Sequence, residues 1–346
     1  MGQYSGSVPV LASEFVRAIL EDTASKRLIW AETDDPSPAP DEVVIDIAAT
    51  AVNRADLAQR QGVYPPPPGE SPILGLECAG VISEIGSGVT GWTVGERVCA
   101  LLSGGGYAER VAVPATQLLP VPTGMSFVEA AALPESVCTV WSNLAIGFHD
   151  PLPGDVALIH GGASGLGTMA VQLAALSGYM VIATAGSAER ARATEQWGAV
   201  RGIDYRSDDF VAVVADLTGG FGANVILDVV GGSYLQRNLD TLADDGRLMI
   251  VSTLGGRRAE LDIVSMMRRR LSIHATTLRA RPRLGPSSKA EVVARVRADV
   301  WPWFESGDAL AIVGTVLPIT SVEQAHGEIA DGTAAPGKTV LELPSR

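Results

Sequence analysis

The chain has 346 residues, 47% hydrophobic and 19% charged, with 26 Lys and Arg against 39 Asp and Glu for a net charge of −13. That length exceeds one growing core and predicts about two domains, while the acidic balance argues against nucleic-acid binding, which needs a basic face for phosphates. Three cysteines without CxxC spacing support neither a disulfide framework nor a structural zinc lobe, and no apolar run is long enough to span a bilayer, so a soluble protein of the reducing cytoplasm is expected.

Residues 1–14 carry neither the basic start nor the apolar centre of a signal peptide and read as a flexible extension outside the fold. A strand is expected from Phe15 to Leu20. Further short β-rich runs, Glu42–Ala48, Gly80–Ile85, Arg97–Leu101 and Tyr107–Val113, are broken by Pro and Gly, and Pro65–Pro68 forms a rigid loop. This pattern predicts a partly antiparallel, barrel-like domain.

From about Cys138 strands alternate with helices, as a doubly wound α/β sheet requires. Strands are expected at Val156–His160, Met180–Thr184, Val225–Val230, Arg247–Ser252 and Leu271–Ala275, with helices opening after Gly165, Ser187, Ser207 and Ser233. One long amphipathic helix, Ser287–Ser306, then precedes strands at Val313–Leu317 and Thr339–Leu343 that return to the first domain. The expected organisation is therefore 15–137 with 276–346 as one domain, and 138–275 as a dinucleotide-binding domain.

The most informative stretch is Asp155–Gly167, an apolar strand running into Gly161-Gly162-Ala163-Ser164-Gly165-Leu166-Gly167 and then an Ala/Leu/Val-rich helix. Gly162, Gly165 and Gly167 let the backbone bend and approach a pyrophosphate, with free helix N-terminal N–H groups aimed at its oxygens. Ser164 stands where the GxGxxG pattern has its second glycine.

NAD-binding versions of this unit place an acid about 20 residues further on, at the second strand's end. Here the chain reads Ala183-Thr184-Ala185-Gly186-Ser187-Ala188-Glu189-Arg190. Ser187 and Arg190 could hold a 2′-phosphate, Arg being suited to bidentate pairing with its oxygens, which favours NADPH over NADH. They could equally be a helix cap and a solvated helix charge. Glu189 could also turn toward the ribose.

Several further segments carry a family likeness: Val52-Asn53-Arg54-Ala55-Asp56-Leu57, Gln59-Arg60-Gln61-Gly62-Val63-Tyr64, Ile73-Leu74-Gly75-Leu76-Glu77, Ala131-Ala132-Leu133-Pro134-Glu135, Gly231-Gly232-Ser233-Tyr234 and Gly337-Lys338-Thr339. With the glycine turn they resemble the zinc-independent medium-chain dehydrogenase/reductases of the quinone oxidoreductase, or zeta-crystallin-like, group, nearest its tumour-suppressor-inducible branch. The resemblance implies a GroES-like catalytic domain beside a Rossmann domain, and a homodimer. The strand Arg247–Ser252, taken as an unpaired sheet edge, and the run Leu261–Met267 are candidate dimer contacts.

Zinc-dependent relatives use an early Cys and a Gly-His-Glu trio; this chain has Asn53 and Gly75-Leu76-Glu77 instead. Glu77 reads as a structural carboxylate, and His149, His160, His274 and His326 lack ligand spacing, so no metal site is expected. Hydride transfer from NADPH to a small quinone or activated alkene is the implied chemistry. In the resembled family the residues matching Asn53 and Tyr64 lie by the nicotinamide and substrate: Asn53 would hold the ribose or carboxamide, and Tyr64 would hydrogen-bond or protonate a substrate oxygen. By the residues alone, Tyr64 could pack on the proline loop and Asn53 tie a turn.

The resemblance also places Tyr205 with Ser187 and Arg190 at the 2′-phosphate, Thr139, Leu254 and Gly255 at the nicotinamide end, and Lys338 near the cofactor's far side. Asp228 faces the cofactor crevice or is a buried carboxylate satisfied by backbone. Quinone reduction leads. Reduction of enones, alkenals or enoyl thioesters is a second enzyme reading, for which Arg279, Arg281 and Arg283 would be either a basic pocket rim or a solvated loop. A non-catalytic NADPH-binding protein is the third.

Overall fold

Phe15–Glu21 (β1), which buries Val16, Ala18 and Ile19, and Leu28–Asp34 (β2), which buries Leu28, pair antiparallel as a separate ribbon in the computed structural model, which describes residues 15–144 and 151–344. The extension expected at 1–14 and His149 lie outside the described residues. Glu42–Ala51 (β3), buried along most of its length, is the centre of a seven-stranded sheet. Helix α1 (Arg54–Arg60) follows, then Glu77–Ile85 (β4), Arg97–Leu101 (β5), Arg110–Pro114 (β6) and Leu118–Pro120 (β7). Strands β4 and β6 pair antiparallel with β3, β5 with β4, and β7 with β5.

Two short helices, α2 (Phe127–Ala130) and α3 (Pro134–Leu144), lead into the second sheet. Helix α3 runs unbroken across 137/138, and its Val137, Val140 and Leu144 share one core with Leu101 and Val340 on one side and Met169 and Val225 on the other.

Val156–Ile159 (β8), α4 (Gly165–Leu176), Met180–Ala185 (β9), α5 (Ala188–Glu195), Ala199–Asp204 (β10), α6 (Phe210–Leu217), Ala223–Asp228 (β11), α7 (Leu235–Thr241), Leu242–Ile250 (β12), α8 (Ile263–Arg269) and Ser272–Ala275 (β13) build a six-stranded parallel sheet in the order β10-β9-β8-β11-β12-β13. The chain winds outward from β8 through β10 and returns at β11. The carboxyl ends of β8 and β11 therefore mark the topological switch where such sheets bind ligands. Strand β12 lies between β11 and β13, so the expected edge at Arg247–Ser252 is internal, and the edge strands are β13 and β10. The strand expected at Leu271–Ala275 is present as β13, but its place beside β12 depends on strand order, which the sequence pattern does not carry.

The expected helix Ser287–Ser306 is two helices, α9 (Lys289–Asp299) and α10 (Trp301–Ser306), with Val300 between them. Pro302 is the cause: it has no N–H to give and its ring would meet the carbonyl four residues back, so it sits in the first turn of a new helix. Val313–Pro318 (β14), α11 (Val322–Asp331) and Lys338–Glu342 (β15) complete the chain, and β15 pairs antiparallel with β3 to return to the first sheet. No helix among the described residues is long and apolar enough to cross a membrane.

Candidate active site

The glycine turn is shaped by close packing. A Cβ on Gly162 would stand 2.7 Å from the Ala183 Cβ, and one on Gly167 would stand 2.0 Å from the Gly161 carbonyl oxygen. Ser164 caps α4, its Oγ accepting from the Gly167 N–H at 3.0 Å. A hydroxyl thus does at this position what the glycine pattern leaves to the ligand for one N–H. The remaining first-turn N–H groups, at Gly165 and Leu166, have no intrahelical acceptor, and Ala163 is buried beneath them.

This turn is braced by the far end of the chain. Ser164 forms a parallel bridge with Gly337, whose N–H donates to the Ala163 carbonyl at 3.2 Å. Gly165 abuts the aliphatic stem of Lys338, where a Cβ would lie 2.7 Å from Cδ. The Lys338 side chain, 4% exposed, ends in a polar hub: its Nζ donates to Asn53 Oδ1 at 2.6 Å and to Glu77 Oε1 at 2.5 Å. Asn53 Nδ2 donates to the same Glu77 oxygen at 2.8 Å, and Glu77 Oε2 accepts from the Glu135 N–H at the start of α3 at 2.9 Å. Glu77 is therefore a structural carboxylate joining three elements, as expected. Asn53 and Lys338, given separate roles in the sequence reading, are brought into direct contact.

Asp56 underpins the hub. It accepts from the Asn53 and Gly75 N–H groups and from the Tyr107 hydroxyl, and burial raises its carboxyl to about 6. Gly75 passes within contact of Gly106, leaving no room for a side chain. Zinc does not fit this arrangement. The position lacks thiolate and imidazole ligands, and an ammonium already stands between the Asn53 and Glu77 oxygens and would repel a divalent cation. Two of the described histidines, His160 and His326, point the same way. His160 bonds Thr184 and Asn238, His326 bonds Tyr107, and burial lowers both imidazoles to about 4, so they are neutral core groups.

Tyr64 is placed by the end of α1. Gly62, at φ +73°, reverses the chain, and the Val63 and Tyr64 N–H groups fold back onto the Ala58 carbonyl. The half-buried phenol hydrogen-bonds with Thr277, and Arg279 lies with its guanidinium carbon 5.5 Å from the ring centroid while donating to the Tyr64 carbonyl at 3.3 Å. Burial, with help from Glu135, raises the Tyr64 hydroxyl above its ordinary value, so it remains an O–H donor at working pH. Thr139 lies one turn beyond Glu135 on α3 and bonds its carboxyl at 3.3 Å. Burial, reinforced by the neighbouring Glu77, raises Glu135 to about 8, which keeps it neutral near pH 7. The sequence reading quoted Glu135 only as part of a motif; no local pattern reveals that it shares a buried site with two other carboxylates.

At the second strand's end Ser187 caps α5, accepting from the Arg190 N–H, while Arg190 donates one guanidinium bond to the Ala334 carbonyl at 2.8 Å. Tyr205 stands beside them, its hydroxyl 3.0 Å from where a Cβ on Gly186 would lie. Ser187, Arg190 and Tyr205 are thus neighbours. Leu254 and Gly255 form a loop hooked to the Val229 and Val230 carbonyls beyond β11, with Leu254 exposed. Asp228 accepts from the Val230 and Gly231 N–H groups, so of its two readings the backbone-satisfied carboxylate is the one observed.

The zinc-binding dehydrogenase family matches residues 165–295, and the alcohol dehydrogenase GroES-like domain matches 39–123. A 2-haloacrylate reductase from a Burkholderia species is 38% identical over 223 residues, 63% of this chain and 67% of that protein. The chain spans only 10% of the length of a mycobacterial phenolphthiocerol/phthiocerol polyketide synthase subunit that it also matches. Among solved structures, Escherichia coli quinone oxidoreductase complexed with NADPH superposes with a TM-score of 0.80 at 25% identity, covering 95% of this chain and 99% of that one. The CurK enoyl reductase gives 0.83 at 26%, covering 96% and 100%.

Proposed function

We propose that this chain, which belongs to the medium-chain dehydrogenase/reductase family, is a metal-independent NADPH-dependent reductase of small conjugated carbonyl compounds, with quinones as leading acceptors. The observation that carries this reading is the Lys338 ammonium between Asn53 and Glu77. It fixes the hub by protein charge alone and leaves reactions whose acceptor needs no Lewis acid.

The glycine turn fits a dinucleotide, because Gly165 and Leu166 present unpaired N–H groups on a backbone where a side chain at 165 would collide with Lys338. Gly162 to Gly167 would hold the pyrophosphate, and Ser187, Arg190 and Tyr205 the 2′-phosphate. Thr139, Leu254 and Gly255 would line the nicotinamide end, and Asn53, held by Lys338 and Glu77, would hold the ribose or carboxamide. Bound there, the cofactor supplies a hydride. Tyr64 donates a hydrogen bond to the acceptor's oxygen, and the neutral Glu135 and the Thr139 hydroxyl maintain an uncharged wall beside it. Escherichia coli quinone oxidoreductase, whose structure superposes on 95% of this chain, supports the acceptor class.

A second reading, reduction of an activated alkene, is favoured by the 38% likeness to a 2-haloacrylate reductase. Both chemistries use a C=C conjugated to C=O. NADPH and NADH oxidation against quinones, enones and enoyl thioesters, wild type beside Tyr64→Phe, tests them. Preferential NADPH oxidation with a quinone, falling about 10²-fold in the variant, supports the leading reading; alkene-selective turnover supports the second. Cofactor binding without any turnover overturns both and leaves a non-catalytic role.

A further inference from the structure

Four cations and no acid lie between Arg279 and Lys289 in a chain of net charge −13. The structure shows that they are not one solvated loop. Arg283 is fully answered, forked on Glu70 and bonded to Glu42. Lys289 is 2% exposed, and its Nζ donates to the Arg281 carbonyl at 2.8 Å. Arg279 is 3% exposed; its Nε and Nη1 donate to the Ser103 and Tyr64 carbonyls, and its Nη2 is buried with no acceptor among the described residues. Arg281 Nε is a second orphaned donor in the same segment. The Asp56, Glu135 and Glu70 carboxyls act on Arg279 only from a distance, and no ion pair is formed; a buried guanidinium without a paired carboxylate or a complete set of acceptors is costly to keep, and this one adjoins Tyr64.

We propose that Arg279 anchors a carboxylate borne by the substrate, which makes the preferred acceptors small α,β-unsaturated carboxylates. This deepens the activated-alkene reading and rests on it. In the reaction a hydride from the reduced nicotinamide bonds to the β-carbon and the C=C π pair moves onto the α-carbon and carboxylate oxygens. The Arg279 guanidinium balances the resulting second negative charge. A proton from the Tyr64 hydroxyl then bonds to the α-carbon, and solvent restores the phenol. One hydride and one proton are consumed, and the product is the saturated acid. Neutral enones build up only one negative charge and need the guanidinium less. A phosphate on a carrier arm would sit a long chain away from the alkene, whereas the unpaired donor is at Tyr64 itself.

The test compares crotonate with 3-penten-2-one, its neutral isostere, as NADPH oxidants, and measures butanoate binding by calorimetry without turnover. Wild type is expected to bind butanoate and reduce crotonate. Arg279→Met should weaken butanoate binding and lower the crotonate-to-pentenone ratio of kcat/KM, each by about tenfold or more, with Arg279→Lys restoring part of both. Arg283→Gln should leave the ratio unchanged. Unaltered binding and ratio in an Arg279→Met protein that still binds NADPH would overturn the proposal, as would an Arg279 effect confined to crotonyl thioester of coenzyme A. Butanoate binding that depends on Arg279, in a protein that reduces nothing, would sustain the anion site and sink the reductase reading instead.

Discussion

Glu135 shows how one side chain's surroundings fix its chemistry. Glu77 and Asp56 face it from β4 and α1, Lys338 from β15, Cys138 from its own helix, and Tyr64, Arg279 and Lys289 from the opposite wall. Lys338 is committed to Glu77, so desolvation and like charge prevail and the carboxyl is raised to about 8. The folded protein thus holds a proton that the unfolded chain has lost, and stability falls as pH rises toward 8. Asp56 and Asp228, each raised to about 6, act in the same direction at lower pH, whereas His160 and His326, lowered to about 4, act oppositely below about 6.5. Among these five groups, only Glu135 titrates between about 6.5 and 8. Melting temperature is expected to decline over that window in wild type and to flatten in Glu135→Gln; an equal decline in both proteins would remove Glu135 from the account.

At the scale of elements, the glycine turn was legible because strand, glycines and helix are contiguous in sequence, and backbone sterics bind them locally. Gly162 carries the packing part of that role. A methyl there would stand 2.7 Å from Ala183 on β9, too close to absorb without moving α4 from the sheet. Gly162→Ala should therefore cost about 1–3 kcal/mol in urea unfolding and weaken NADPH binding together with it, whereas a surface glycine change would do neither. Helix α1 escaped notice because seven residues give too little periodicity, and Pro302 was overlooked because an amphipathic pattern can continue across a break. Arg279 was visible as a residue but not as a buried one: what surrounds it comes from Tyr64 and Ser103, more than 170 positions away in the chain. The same reason hid the Asn53–Glu77–Lys338 hub, whose members span 285 positions.

Among the described residues the parallel sheet ends in two edge strands, β10 and β13, and it is β13 that has apolar surface beside it. Beside it in sequence, α8 exposes Ile263, Val264 and Met267 at 62%, 55% and 72%. An open edge next to exposed apolar side chains is suited to a second copy related by a two-fold axis. Light scattering at micromolar concentration is expected to give twice the chain mass of 36.0 kDa, and Met267→Asp to shift the population toward monomer. A wild-type monomer would reject the assembly.

The bridge between Ser164 and Gly337 also has a bearing on how the protein is made. A ribosome releases the six parallel strands by Ala275, yet the turn that would grip a dinucleotide is braced by Gly337 and Lys338. Until those late residues emerge, the nascent sheet has its strands without its clasp, and the contact that closes it joins residues far apart in the chain, a kind that is slow to form. Capture of a dinucleotide should accordingly arise late in translation, so that a bound cofactor would mark a chain synthesised through β15.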